Sequence, residues 1–378
     1  MTLSRRAVLG AALGSLTVAA GGCARPVNPA TGGGNAKTPL NVGFVWTRTG
    51  DRLTVAESNR YEQGLRIGLS WVTNKTNKIG VRPLRTLKLD DKGSPEVAAA
   101  AAESLIDKGC RVLAGGFTDP VALRLAEVAA RRKVLFLPAM ATADELTGIN
   151  RYTFRDGPSE TQLLTAVKAY VKPGGRLVVL STGHGRAASL LGAAETVVAP
   201  ASTKDFTEVG KKIKALRADQ VYVDWPVVAP RLWDALPAGV EPLTLLGARA
   251  TWPSYGVAGG SLRFVTPYVD TATVNTASLL IRASVPTRRA DTGHAEGFAA
   301  AQMIVRALQF GPLDVDAMAA ALEGFVLNGL KTGMTIRPRD HLLLEPLYGG
   351  RLIWTGAAGA ITAVPDRTFA PEETAVPR

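Results

Sequence analysis

The sequence predicts an α/β fold made of two doubly wound parallel sheets in tandem. Short apolar runs alternate with segments of helical length, as they do where crossover helices cover both faces of a parallel sheet. The alternation breaks off after Leu137 and starts again at Arg176. The chain of 378 residues is 46% hydrophobic and 20% charged, enough for two cores of ordinary domain size.

The first series opens with a buried strand over Asn41 to Trp46. Val55 to Thr73 follows as a helix, with Leu65, Leu69 and Val72 at helical spacing and Trp71 assigned to the core. Leu84 to Leu89 is a strand ending in Asp90-Asp91. Pro95 to Lys108 is an Ala-rich helix, Arg111 to Ala114 a strand, Pro120 to Arg132 a helix and Val134 to Leu137 a strand. In the second series Arg176 to Ser181 is a strand, and a helix starts at Arg186. Strands at Glu195 to Ala199, Gln220 to Asp224 and Leu243 to Leu246 alternate with helices at Phe206 to Leu216 and Val228 to Leu236. Two late helices, Ala295 to Phe310 and Val315 to Leu322, precede a β-rich tail from Met334 to Thr355. The crossing between the two series is placed at Arg155 to Ser159.

The N-terminus reads as an address. Arg5-Arg6 stands before a Gly- and Ala-rich apolar stretch that stops at Ala20-Gly21-Gly22-Cys23, so residues 1–23 are expected to be an export signal of the twin-arginine kind. The last four residues resemble a bacterial lipobox, which implies diacylglycerol on Cys23. Ala20 stands where Leu or Val is usual. Residues 24–40, with Pro and a Gly triplet, read as a flexible tether. The expected location is the outer face of the membrane, in the periplasm or outside the cell, held by the lipid.

The formal net charge is +12, two of it from Arg5 and Arg6. The densest basic clusters, Arg131 to Lys133 and Lys211 to Lys214, fall late in a helix or on a solvated helix face. No stripe interleaves aromatic and basic residues, which argues against nucleic-acid binding. Cys110, at a helix-to-strand junction, reads as a small buried hydrophobe. Cys23 and Cys110 build no disulfide framework, and His184, His294 and His341 have no metal-ligand spacing. No cofactor is expected.

With these elements in order, the chain resembles the type I periplasmic binding proteins, in the leucine/isoleucine/valine branch that serves ABC importers. The marks are Thr49-Gly50 after the first strand, Tyr61-Glu62-Gln63-Gly64 in the first helix and a strand ending at Asp90. Gly115 to Asp119 follows the third strand and Ala141 to Thr147 the fourth. Tyr152 to Arg155 leads into the second series, Asp205-Phe206 opens a helix, and Gly333, Arg337 to His341 and Pro346 to Tyr348 match the final crossing. The resemblance runs from Asn41 to Thr362. It implies a clamshell of two lobes joined by three crossings, closing on a small solute. The expected division is 41–156 plus 284–334 for one lobe and 157–283 plus 335–365 for the other. It also implies a monomer without enzymatic activity that passes an amino acid or related carboxylate solute to the permease subunits of an ABC importer.

Several residues are candidates for the solute site. Thr118 and Asp119 precede Pro120, which reads as a helix cap. By resemblance this loop touches the solute's α-carboxylate, and Asp119 would repel one. Thr142 with Glu145 reads as a capping box, and by resemblance Met140, Ala141 and Thr142 hold the carboxylate. His184 stands where the family commonly has a cleft-lining Tyr. Trp225 is placed to stack on a ligand or to pack in the core. Arg249 falls where amino-acid binders carry an acidic residue for the ammonium. Arg forks onto carboxylates, so either the solute is an acid without an amine, or Asp119 takes an amine while Arg249 takes a carboxylate. The plainer alternative leaves Arg249 solvated after a shift of register by one or two residues.

Two other readings fit parts of the sequence. Gly183-His184-Gly185-Arg186-Ala187-Ala188 fits G-x-G-x-x-A between strand and helix, the dinucleotide pattern, but the next strand ends without the acidic residue for a ribose. A sensory protein that reports its solute to a receptor would carry the same clamshell. No G-x-S-x-G elbow or phosphate-cradling loop occurs.

Overall fold

The computed structural model describes residues 38–183, 186–225, 230–247, 251–255, 262–286, 289–354 and 361–375. The signal, Cys23, most of the tether, His184 and Arg249 lie outside the described residues.

The first sheet begins with β1 (Leu40–Trp46), whose apolar residues are almost all buried. Asp51 then caps α1 (Arg52–Val72) by accepting the N–H groups of Leu53 and Thr54, so the helix starts before its first apolar residue. β2 (Lys78–Ile79) and β3 (Arg82–Asp90) follow, then α2 (Pro95–Asp107), β4 (Val112–Gly115), α3 (Asp119–Arg132) and β5 (Leu135–Pro138). The sheet order is β2-β3-β1-β4-β5, with β2 antiparallel and the rest parallel. Cys110 is wholly buried and its thiol is pushed up to about 11 by burial, as a small core residue would be.

The second series starts with α4 (Glu160–Lys168), which the sequence reading passed over. Its signal was present as Ser159-x-x-Gln162, a capping box with both bonds formed. Then come β6 (Leu177–Ser181), α5 (Ala187–Leu191), β7 (Glu195–Val198), α6 (Thr207–Ala215), β8 (Gln220–Asp224), α7 (Pro230–Ala235), β9 (Glu241–Leu245) and β10 (Arg263–Thr266). This sheet is mixed rather than wholly parallel. Its order is β15-β14-β10-β9-β8-β6-β7, and the hairpin of β14 (Leu347–Trp354) and β15 (Ile361–Phe369) joins antiparallel. The register of the hairpin shifts at Gly349/Gly350, and Pro365 lies in its outer strand.

Between β10 and β14 the chain returns to the first core. α8 (Thr276–Ser284) buries Ala277 and Ile281 against Ile67 and Phe298. The expected lobe boundary at residue 283 therefore moves back to the end of β10, because α8 packs on α1 and α9 (Thr292–Phe310). α10 (Val315–Leu322) and the small antiparallel sheet of β11 (Val326–Leu327), β12 (Met334–Ile336) and β13 (Leu343–Leu344) complete the first core. Ile336 and Leu343 are buried there, so the last crossing falls after Leu344, not at 334/335.

α1 and α9 pack unusually closely. A Cβ on Gly64 would lie 2.1 Å from the His294 carbonyl oxygen, and one on Gly297 2.1 Å from that of Tyr61. Only glycine lets the two backbones meet this way. The contact fixes two helices that both reach the site described next.

Candidate functional site

Strand ends from the two sheets meet at a cavity of about 190 Å³. That is metabolite-sized rather than drug-sized. One wall is Met140, Ala141 and Thr142, just after β5, with Glu57 of α1 and Thr292 and Glu296 of α9 beside them. The crossing residues Gly157 and Pro158 form one side. The opposite wall is apolar, with Leu163 of α4, Leu245 and Leu246 at the end of β9, and Val265 and Pro267 at the end of β10. Crevices at the carboxyl ends of strands are where open α/β sheets bind ligands.

Arg155 holds this place together. Its side chain is 1% exposed, and its guanidinium donates to the carbonyls of Ala141 and Ala143 on the loop and of Gly157 and Pro158 on the crossing, three of the four bonds at 2.8 Å. Burial lowers its pKa, but a guanidinium stays charged. One side chain thus ties the cavity's loop to its crossing. Asp144 adds a second tie, accepting from Thr161 N at 3.1 Å and pairing with Arg186 at 2.6 Å. His341, between β12 and β13, stacks on Phe154 and lies 3.1 Å from the Thr153 carbonyl through Nδ1, which pins the stretch that leads into the first crossing.

The carboxyl groups at the polar wall are out of the ordinary. Glu57 is pushed up to about 7, by burial first and then by Asp291, with Arg60 opposing. Glu296 is 4% exposed and raised further, by burial first and then by Asp156. Glu57 Oε2 and Glu296 Oε2 are both buried without a hydrogen-bond partner. Asp156, pushed up to about 6 by burial, accepts the hydroxyl of Tyr61 behind them. Sequence reasoning missed this group. The available signal was Glu296, a charge inside the apolar run from Ala295 to Val305.

The structure sorts the expected site residues. Met140, Ala141 and Thr142 line the cavity, and Met140 holds a φ of +59°, a left-handed conformation that a non-glycine residue adopts at a cost. The expected capping box of Thr142 and Glu145 is absent. A short 3-10 turn over Asp144–Leu146 starts from Ala143 without a side-chain cap. Thr118, not Asp119, is the N-cap of α3, and it makes no side-chain cap bond. Asp119 does not reach the cavity. Its Oδ1 accepts the backbone N–H groups of Thr142 at 2.8 Å and Ala143 at 3.0 Å, since it points from the start of α3 into the neighbouring loop. Trp225 also lies off the cavity lining, packed edge-on against Phe206 in the second core.

Two cores joined by crossings, with strand ends from both around a small cavity, define a two-lobe binding protein. Residues 39–358 match the model of the family described as periplasmic binding protein, and the chain belongs to that family. A curated relative, the Leu/Ile/Val-binding protein BraC3 of Rhizobium johnstonii, is 26% identical over 203 residues, and the match covers 50% of this chain. The chain spans about half the length of that relative, 54%. Among solved structures, an ABC-type branched-chain amino acid transporter protein of Rhodopseudomonas palustris is 25% identical with a TM-score of 0.80, over 89% of this chain and 98% of that one. A solute-binding protein of an ABC transporter from the same species, solved with p-hydroxybenzoic acid, is 18% identical with a TM-score of 0.78, over 88% and 97%.

Proposed function

We propose that this chain is the extracytoplasmic solute-binding component of an ABC importer, trapping a small organic solute between its lobes and handing it to permease subunits. The observation that carries the reading is the cavity itself, walled on one side by the end of β5 and on the other by the ends of β9 and β10. A solute touching both walls favours the closed arrangement by its contacts to each, which is how hinged lobes are drawn shut. Met140, Ala141 and Thr142 supply one wall of contacts and the apolar residues of the second sheet the other. The relatives named for branched-chain amino acids and the one solved with an aromatic acid support a small organic solute. In this reading Cys23 carries the lipid that keeps the protein at the membrane, after export through the twin-arginine route.

The test is a thermal-unfolding screen of residues 38–378 against amino acids, amines and aromatic acids, with small-angle scattering on each hit. A solute bound at micromolar Kd and supplied well above it stabilises the fold by roughly 2–4 kcal/mol, and the scattering curve contracts as the lobes close. A full screen without stabilisation or contraction would falsify the reading. For the anchor, wild-type protein should partition into detergent and Cys23→Ser into the aqueous phase. Equal partitioning would remove the lipid.

A further inference from the structure

The two walls of the cavity have opposite chemistry. Among the described residues, the side chains that line it include two carboxyl groups and no cation. Glu296 is nine-tenths buried, and its Oε2 has no hydrogen-bond partner. It stays open to the cavity because residue 157 is glycine. A Cβ there would meet the Glu296 carboxylate at 2.8 Å. Glu57 Oε2 is also without a partner, while its Oε1 faces Arg60 at 3.2 Å.

The seats an anion would use on this wall are filled by the chain's own carboxylates. Asp119 accepts the N–H groups of Thr142 and Ala143, and Asp291 accepts that of Thr292 at the start of α9 at 3.1 Å. The nearby cations are engaged. Arg60 lies between Glu57 and Asp291, Arg155 serves backbone carbonyls, and Lys331 meets Glu345, donates to the Pro267 carbonyl and also acts on Glu296 through its charge. Asp156 and Glu57 act on Glu296 against Lys331, and Asp291 acts on Glu57 against Arg60, so the carboxyl groups around the pair outnumber the cations. His294 is held neutral, its pKa pushed down to about 4 by burial and Arg60. Tyr61, bonded to Asp156, also faces Glu296.

We infer that the solute is a small amphiphilic cation, a protonated amine on an apolar body. Its ammonium sits at Glu57 and Glu296, and its apolar part lies against Leu163, Leu245, Val265 and Pro267. This rests on the solute-capture reading and narrows it. It also departs from the expectation of a carboxylate seat at Thr142, because Asp119 already occupies those N–H groups. The ammonium supplies the donors that Glu57 Oε2 and Glu296 Oε2 lack, and ionised carboxylates in place of protonated ones are what it selects. Binding therefore releases protons and tightens as pH rises, consistent with the raised pKa values of both groups.

The experiment is calorimetric titration at pH 6 and pH 8. The cationic probes are 3-methylbutylamine and benzylamine, both protonated at either pH, and the comparison probes are leucine, 4-methylpentanoate and 4-hydroxybenzoate. The expected result is binding of the amines, several-fold tighter at pH 8. Glu296→Gln and Glu57→Gln, each folded by its unfolding curve, should weaken it roughly tenfold or more, the scale of a charge-assisted bond. Binding by the carboxylate-bearing probes alone, or amine binding that both Gln variants leave intact, overturns the cation assignment and leaves solute capture standing. Silence from both sets overturns the two together.

Discussion

Gly64→Ala is the most discriminating change in the scaffold of the site. At an ordinary helical position the substitution stabilises by about 1 kcal/mol, because alanine gives up less backbone freedom than glycine. Here the new methyl would stand 2.1 Å from the His294 carbonyl oxygen and 2.7 Å from its carbonyl carbon and Cα. The obstacle is backbone, which no rotamer change clears, so α1 and α9 must part by about 1 Å before the contact becomes ordinary. Overpacking of this kind costs up to about 3 kcal/mol. The net expectation is a loss of about 2 kcal/mol, or about 3 °C in Tm for a chain of this size. The assay is urea unfolding followed by circular dichroism, with Gly297→Ala and Gly68→Ala beside it. Gly297→Ala meets the Tyr61 carbonyl oxygen at the same 2.1 Å and should cost as much, whereas Gly68→Ala first meets a side chain, Ala301 Cβ, at 2.7 Å and should cost less. The separation also displaces Glu57 and Glu296, so solute affinity should fall with stability. A neutral or stabilised Gly64→Ala would refute the close approach of the helices and the argument that they position the acidic wall.

Asp119→Ala leaves the Thr142 and Ala143 N–H groups without their acceptor, at a cost of about 2 kcal/mol. Acetate added at tens of millimolar should recover part of that loss where chloride does not, and equal behaviour of the two anions would show that the vacated seat takes no carboxylate. The unliganded protein should lose stability as pH rises. Asp156 and Asp291, raised to about 6, and Glu57, raised to about 7, bind protons in the folded state that the unfolded chain has already released. Their contribution is therefore complete below pH 4 and lost as pH climbs through 6 and 7. For Glu57 the limit is about 3 kcal/mol. Urea midpoints at pH 5, 6, 7 and 8 measure it, and Glu57→Gln should flatten the curve. A midpoint that rises over this range would contradict the sign.

The sheets were legible because their strands are short apolar runs between helices, a pattern that buried parallel strands impose on any sequence. β1, β3, β4, β5, β6, β8 and β9 all fall where the pattern places them. α4 and α8 escaped because each is short and draws its register from partners elsewhere. The apolar face of α8 matches Ile67 and Phe298, which its own sequence does not show. β15 escaped for a related reason, since Pro365, Asp366 and Arg367 disguise a strand that needs only one neighbour. The resemblance named Met140 to Thr142, which line the cavity, but it did not name Arg155 as a tie or the Glu57–Glu296 pair. Their importance comes from three-dimensional coincidence, an arginine facing four carbonyls and two acids meeting across separate helices. Asp119 was noticed for its charge and given the wrong task, because the N–H groups it satisfies lie in another loop.

The hairpin that completes the second sheet has a consequence for how copies of this protein behave together. A sheet that ends in a long, straight strand offers bare backbone to another molecule. The described sheet ends on one side in β15, interrupted by a register shift and carrying a proline and two charges, and on the other in β7, only four residues long. Neither end is a template for strand addition. Strand pairing between crowded copies should therefore not start from this sheet.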